Sequence, residues 1–274
     1  MADAPESDSL QPSSARRQIA PSLAFERRGP VAILTLTRPH KRNALDDPTV
    51  LALEAAFRDL DEAVHAVVLD AEGEHFCAGL DLSELKERDV AAGLLHSRMW
   101  HRVFESIEFG RVPVVAVLKG AVIGGGLELA CAAHIRVAEP SAFYALPEGQ
   151  RGIYVGGGAS VRLPRLIGLA RMRDMMMTGR TYDAEAGERL GLSQYLVGVG
   201  EGLAKALALA ERAAANAPLT NFALIHALPR IAESDPAAGY LAESLMAAAA
   251  QSDPEAKRRL ADFLAGRAAK VTRD

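Results

Sequence analysis

The chain has 274 residues, a length that favours one large α/β domain with an appendage, or two modest domains. Hydrophobic residues make up 49% of the chain and charged residues 24%, which excludes a disordered, collagen-like or coiled-coil protein. The formal net charge of −4 gives no reason to expect a nucleic-acid partner, so any phosphate-binding site must be local.

The N-terminal segment is acidic, rich in Pro and Ser, and lacks an apolar run. It fits neither a secretory signal nor a transit peptide, so we predict a disordered arm over residues 1–21. Cys77 and Cys131 have no metal-ligand spacing, which indicates a reducing compartment and no metal site. No apolar run approaches the roughly 20 residues that span a bilayer, and we therefore expect a cytoplasmic protein without a membrane segment.

Short β-rich runs alternate with longer helical patterns, which predicts an α/β fold with parallel crossovers. The predicted strands cover residues 31–37, 66–70, 112–118, 135–138 and 195–199. Asp46 or Asp47 can cap the first helix, and Pro48 suits its first turn. A second helix is predicted from about Ser83 to about Ile107.

The last third of the chain is predicted to be mainly helical. Asp183 can cap a short helix that ends at Gly191, and an Ala-rich helix follows over residues 200–216. Residues 217–274 show helical patterns interrupted by prolines and no convincing strand. We therefore divide the chain into an α/β core over residues 22–216 and an all-helical region over residues 217–274.

Two glycine-rich turns can expose backbone amides. Gly79 permits a sharp bend after the strand AVVLD, so that the amide of Leu80 can point outward, although this segment taken alone favours an ordinary strand-to-helix turn. Gly124, Gly125 and Gly126 follow another strand and open a helix, where free N–H groups and the helix dipole favour negative charge. Both turns are candidate anion sites.

Two glutamates accompany these turns. Glu128 lies in the first turn of the helix after the glycines, where a carboxylate can also simply complement the helix dipole. Glu148 follows 20 residues later, a separation long enough to bring it back beside Glu128, although a glutamate in such a loop is usually solvated. The pair is a candidate for acid–base chemistry.

The chain resembles the enoyl-CoA hydratase/isomerase (crotonase) superfamily over roughly residues 23–270, and is most similar to its enoyl-CoA hydratases. The matching segments occur in the family's order: ILTLTRPHKRNALD, VVLDAEGEHFCAGLDLSEL, PVVAVLKGAVIGGGLELACAAHIRVA, PEGQRG and MMMTGRTYDAEAGERLGLSQYLV. The resemblance implies a spiral of β-β-α units with a helical C-terminal trimerisation region, assembled as a homotrimer or a dimer of trimers.

The resemblance also implies how the site works on an acyl-CoA thioester. The amides of Leu80 and Gly125 would form an oxyanion hole for the thioester oxygen. Glu128 would be the base and Glu148 the acid that add water across the C2=C3 double bond of a 2-trans-enoyl-CoA. No cofactor is expected, because coenzyme A is part of the substrate. The family's CoA contacts fall here on Arg38, Lys41, Arg42, Ala44, Ala78 and Asp81.

Other activities stay open at this stage. A double-bond isomerase needs only one carboxylate, and a hydratase-lyase or a thioester hydrolase is a more distant variant. A non-catalytic acyl-CoA-binding or RNA-binding protein on the same fold is a further alternative, because fold does not determine activity. The segment Ile153-Tyr154-Val155 departs from the turn that many hydratases have there, so Tyr154 is expected to intrude on the acyl pocket.

Overall fold

The computed structural model describes residues 14–84 and 87–267. They divide into two compact units, with the boundary between Ala214 and Ala215. All the strands of the described residues belong to the first unit: β1 Ser14–Ala20, β2 Leu23–Arg28, β3 Val31–Leu36, β4 Ala66–Ala71, β5 Val114–Leu118, β6 Ala121–Ile123, β7 Ile135–Ala138, β8 Phe143–Ala145, β9 Tyr182–Asp183 and β10 Tyr195–Leu196.

The helices of the first unit alternate with these strands: α1 Asp47–Arg58, α2 Val90–Glu108, α3 Gly125–Ala132, α4 Ala159–Ile167, α5 Leu169–Thr178, α6 Ala184–Leu190 and α7 Gly202–Ala214. The second unit contains α8 Pro218–Phe222, a π-helical turn over Ala223–Ala227, α9 Leu228–Glu233, α10 Pro236–Ser252 and α11 Pro254–Leu264. Its described residues contain no strand.

The main sheet has the strand order β1-β2-β3-β4-β5-β7-β10, and all pairs from β3 onward are parallel. A small second sheet has the order β6-β8-β9. The parallel strands carry nearly continuous apolar sequence because both faces of the sheet are covered, as in β3, where all six residues are buried. The predicted α/β class with parallel crossovers is confirmed.

Alternate residues of the central strands pack on opposite faces of the sheet. Val31 and Ile33 of β3 pack with Leu209 and Ala210 of α7 in one cluster. Leu34 and Leu36 lie in a larger cluster, together with residues of α1, α2 and α3. Packed side chains therefore cover both faces of the main sheet.

Capping residues set two helix starts as predicted. The Oδ1 atom of Asp46 accepts a hydrogen bond of 2.8 Å from the Thr49 amide at the start of α1. Asp183 caps α6 in the same manner, and Gly191 in the left-handed conformation follows its end.

Two local predictions are wrong. Helix α2 begins at Val90 rather than near Ser83, because Asp89 supplies its N-cap and residues 82–84 form a separate 3₁₀ turn. The predicted disordered arm is instead a strand over Ser14–Ala20, which pairs antiparallel with β2. The remainder of that arm lies outside the described residues. Within residues 14–84 and 87–267, no helix has both the length and the apolar character needed to cross a membrane.

Candidate active site

Two unpaired backbone amides lie side by side where the strands end. The backbone groups on either side of Leu80 form hydrogen bonds with Leu45: Leu45 N donates to Gly79 O at 2.7 Å, and Asp81 N donates to Leu45 O at 2.8 Å. The Leu80 N–H between them donates to no acceptor among the described residues. Gly125 is the first residue of α3, so its N–H has no partner within the helix.

The glycines bring these two amides together. A methyl group placed on Gly125 would lie 3.4 Å from Leu80 N, and one placed on Gly79 would lie 3.2 Å from Gly125 N. Gly79 and Gly124 have φ angles of +92° and +53°, which only glycine adopts readily. The arrangement presents two N–H donors to a cavity of 380 Å³ that Leu80 and Gly125 both line.

Glu128 lines the same cavity and is 3% exposed. Its Oε1 atom accepts hydrogen bonds from the amides of Gly157, at 2.8 Å, and Ala159, at 3.0 Å. Burial raises the pKa of its carboxyl above the usual value, although these two amides partly offset the effect. The amides fix the orientation of the carboxylate.

Glu148 lines the same cavity and is 8% exposed, and its Oε1 atom lies beside Gly124, where an added methyl group would be 2.6 Å from it. Burial raises its pKa to about 7, and the nearby charge of Glu128 adds to the effect. Its buried Oε2 atom has no hydrogen-bond partner among the described residues. A buried polar atom of this kind is costly unless a ligand or water engages it, and Glu148 is therefore suited to exchange a proton with a bound molecule.

Among the residues expected to contact CoA, two are engaged in internal contacts. Arg38 Nη1 donates to Asp46 Oδ2 at 2.7 Å, and Arg38 Nη2 donates to Asp81 Oδ2 at 2.8 Å. Hydrogen bonds from Ser83 hold the other oxygen of Asp81 and, together with Arg38, lower its pKa to about 2. This cluster fastens the turn that carries Leu80 to the start of α1.

The other four expected CoA contacts differ in their accessibility. Lys41 and Arg42 are exposed, and Lys41 Nζ lies 3.6 Å from Asp81 Oδ1. Ala78 lines the cavity, whereas Ala44 is buried and its carbonyl accepts a hydrogen bond from Arg38. Tyr154 also lines the cavity and is 70% exposed, so it stands at the cavity mouth.

The sequence analysis did not identify four polar side chains that line the cavity. Arg88, His96 and Ser97 line the cavity from α2 and the segment before it, and Arg151 lines it beside Glu148. No local sequence pattern marks any of the four. The described residues contain no cluster of three or more His, Cys, Asp or Glu side chains that could hold a metal ion.

Comparisons with known proteins agree with this geometry. The fold, together with two amides and two buried glutamates around one cavity, defines a crotonase-type protein. The chain belongs to the enoyl-CoA hydratase/isomerase family, whose model matches residues 26–272. The short-chain-enoyl-CoA hydratase of Clostridium acetobutylicum is 33% identical over 201 residues, which cover 72% of this chain and 77% of that relative.

Solved structures show the same similarity. A crystal structure from Rhodopseudomonas palustris, provisionally described as an enoyl-CoA hydratase, is 60% identical with a TM-score of 0.89 and covers 93% of this chain and 100% of that chain. The enoyl-CoA hydratase of Bacillus anthracis is 28% identical with a TM-score of 0.84, and the match covers 90% of this chain and 97% of that chain. The predicted crotonase fold is confirmed.

Proposed function

We propose that the protein is an enoyl-CoA hydratase, which adds water across the C2=C3 double bond of a 2-trans-enoyl-CoA to give the 3-hydroxyacyl-CoA. The strongest support is that one cavity holds two unpaired amides and two buried carboxylates, one of which has a pKa of about 7. The family and its named relatives support the same chemistry.

The amides of Leu80 and Gly125 receive the thioester oxygen and stabilise the negative charge that develops on it as an enolate forms. Glu128 takes a proton from water, and the resulting hydroxide adds at C3. Glu148 delivers its proton to C2, which restores the thioester carbonyl. Every proton transfer uses a side chain of the protein, so the reaction requires no cofactor besides the CoA that the substrate carries.

The CoA part of the substrate lies toward the exposed basic segment. Lys41 and Arg42 supply positive charge for its phosphates, with the backbone of Ala44 and Ala78 beside them. Arg38 and Asp81 act indirectly, because their mutual ion pair holds the turn that presents the Leu80 amide. Both cysteines are buried free thiols, which supports a cytoplasmic location.

A hydration assay tests the proposed function. Crotonyl-CoA and longer 2-enoyl-CoAs should lose the absorbance of the conjugated thioester when the purified protein is added, and mass spectrometry should find a product heavier by one water. Migration of the double bond without a change in mass would instead identify an isomerase. Tight binding of every thioester without conversion would identify a non-catalytic acyl-CoA binder.

We also propose that the protein assembles as a homotrimer or a dimer of trimers through its helical C-terminal unit. Tyr240, Leu241 and Leu245 of α10 are 71%, 63% and 64% exposed. Helix α11 likewise exposes Phe263 and Leu264. Large apolar side chains concentrated in this way commonly mark a protein interface.

Light scattering after size exclusion tests the assembly. The wild-type protein should have the mass of three or six chains, and Leu241→Glu should shift the population toward the monomer because it buries a charge in the interface. Gln251→Glu adds the same charge to the same helix at an exposed polar position and should leave the mass unchanged. A monomeric wild-type protein would contradict the proposal.

A further inference from the structure

The wall of the cavity formed by α2 and the segment before it is polar. Arg88 and His96 line the cavity there, and their side chains are only 24% and 20% exposed. Asp47, at the start of α1, lies behind both, with Oδ1 at 2.7 Å from His96 Nε2 and Oδ2 at 3.7 Å from Arg88 Nη2. We call Arg88, His96 and Asp47 the polar corner.

The polar corner has hydrogen-bonding capacity that the protein does not use. The contact between Arg88 and Asp47 is too long for a hydrogen bond, and no N–H group of Arg88 has an acceptor among the described residues. His96 uses Nε2 toward Asp47 and leaves Nδ1 without a partner in the same part of the chain. Trp100 Nε1 donates to Asp47 Oδ1 at 3.3 Å, so Asp47 holds three side chains in place.

Two guanidinium groups, those of Arg88 and Arg151, line the cavity beside its two glutamates. Burial raises the pKa of both glutamates, to about 7 for Glu148. Because Asp47 Oδ2 lies 3.7 Å from Arg88 Nη2, the N–H groups of Arg88 stay open to an anion in the cavity. An acyl chain that ended in a methyl group would leave the N–H groups of Arg88 desolvated and unpaired, which is costly.

The sulfur and the acyl carbon of a thioester lie on different sides of its C=O bond. With the CoA placed toward Lys41 and Arg42, the acyl chain is assigned to the cavity that Trp100 and Val155 line together with Arg88 and His96. We propose that the polar corner binds a carboxylate at the far end of the acyl chain, so that the preferred substrate is the mono-CoA thioester of a 2-enoic dicarboxylic acid. This inference rests on the proposed hydratase function.

The test compares two acyl groups of equal length, hex-2-enedioyl-CoA and hex-2-enoyl-CoA. We expect the wild-type protein to hydrate the dicarboxylic thioester with a kcat/KM at least about tenfold higher. Arg88→Gln and His96→Gln should lower kcat/KM for the dicarboxylic substrate by about tenfold or more and change that for hex-2-enoyl-CoA by less than about threefold. Arg98→Gln, a change at an exposed position on the helix that carries His96, is the matched control.

A binding measurement separates this inference from the proposed function. Calorimetry with the saturated, unreactive hexanedioyl-CoA and hexanoyl-CoA should give the same preference and the same loss in Arg88→Gln. If the protein prefers hexanedioyl-CoA but hydrates neither enoyl-CoA, carboxylate binding at the polar corner is supported and the proposed hydratase function is contradicted. Equal affinities of the wild-type protein for hexanedioyl-CoA and hexanoyl-CoA would contradict the inference. An equal loss of affinity for both ligands in Arg88→Gln would also contradict it, since Arg88 would then contact the CoA part.

Discussion

Replacement of Glu148 by Gln should lower kcat for hydration by about 10²- to 10⁴-fold, the usual contribution of a positioned general acid. Glutamine keeps the size of the side chain but cannot deliver a proton to C2. Substrate binding should change little, since the neutral form of Glu148 already resembles an amide in charge. Initial rates across a range of substrate concentrations separate the effects on kcat and on KM.

Glu139→Gln is the matched control, because Glu139 is another glutamate that is 8% exposed but lies outside this cavity. Its Oε1 atom accepts a hydrogen bond from Gly202 N at 3.1 Å, which glutamine can also accept. This variant should keep nearly the full rate. Similar rates in both variants, or full activity of Glu148→Gln, would contradict the assignment of Glu148 as the acid.

The pH dependence of the wild-type enzyme gives a second view of the same group. The pKa of Glu148 is raised to about 7, so its acid form predominates below that pH and is lost above it. In the hydration direction, kcat/KM should therefore fall as pH rises through about 7. Dehydration of the 3-hydroxyacyl-CoA needs the ionised form of Glu148, so its kcat/KM should rise as pH rises through about 7. This pH dependence should be missing in Glu148→Gln.

The features predicted correctly from sequence depend on local signals. The start of α1 was predictable because Asp46, Pro48 and the apolar positions lie within one short segment. The central strands were predictable because burial on both faces of a parallel sheet requires continuous apolar runs. The start of α2 was misplaced because Ser83 and Asp89 are both acceptable caps, and only the packed structure selects between them.

Contacts between distant segments were not predictable in this way. Strand β1 exists because Ser14–Ala20 pairs with β2, and its composition alone indicated a disordered arm. Arg38 looked like a phosphate ligand, but it pairs with Asp81, which lies 43 residues away. The polar corner depends on Asp47 and His96 from different helices, so no motif in either helix reveals it.

The candidate active site was only partly predictable from the sequence. Glycine-rich turns and a helix start indicated that the amides of Leu80 and Gly125 could be unpaired, but their proximity depends on the alignment of two separate turns. The 20-residue spacing allowed Glu148 to return beside Glu128 but left ordinary roles open for each carboxylate, and the family resemblance was needed to assign them as base and acid. The raised pKa of Glu148 comes from burial in the folded cavity, which a sequence does not display.

Replacement of Gly125 by Pro should lower kcat by about 10²- to 10³-fold, because proline removes the N–H group that would stabilise the enolate. Gly125 is the first residue of α3, a position at which proline is compatible with the helix, so the backbone should keep its course. Stabilisation by this amide increases as charge develops on the thioester oxygen, and the loss should therefore appear in kcat more than in KM.

Gly125→Ala is the control that isolates the amide. Alanine brings the same Cβ atom, 3.0 Å from the ring of Trp100 and 3.4 Å from Leu80 N, but keeps the N–H group. Any loss shared by the two variants reports crowding by Cβ, whereas the additional loss in Gly125→Pro reports the missing donor together with the ring Cδ atom that replaces the amide hydrogen. Circular dichroism and thermal melting should confirm that both variants fold. Equal rates for the folded Pro and Ala variants would show that the Gly125 amide does not act on the thioester.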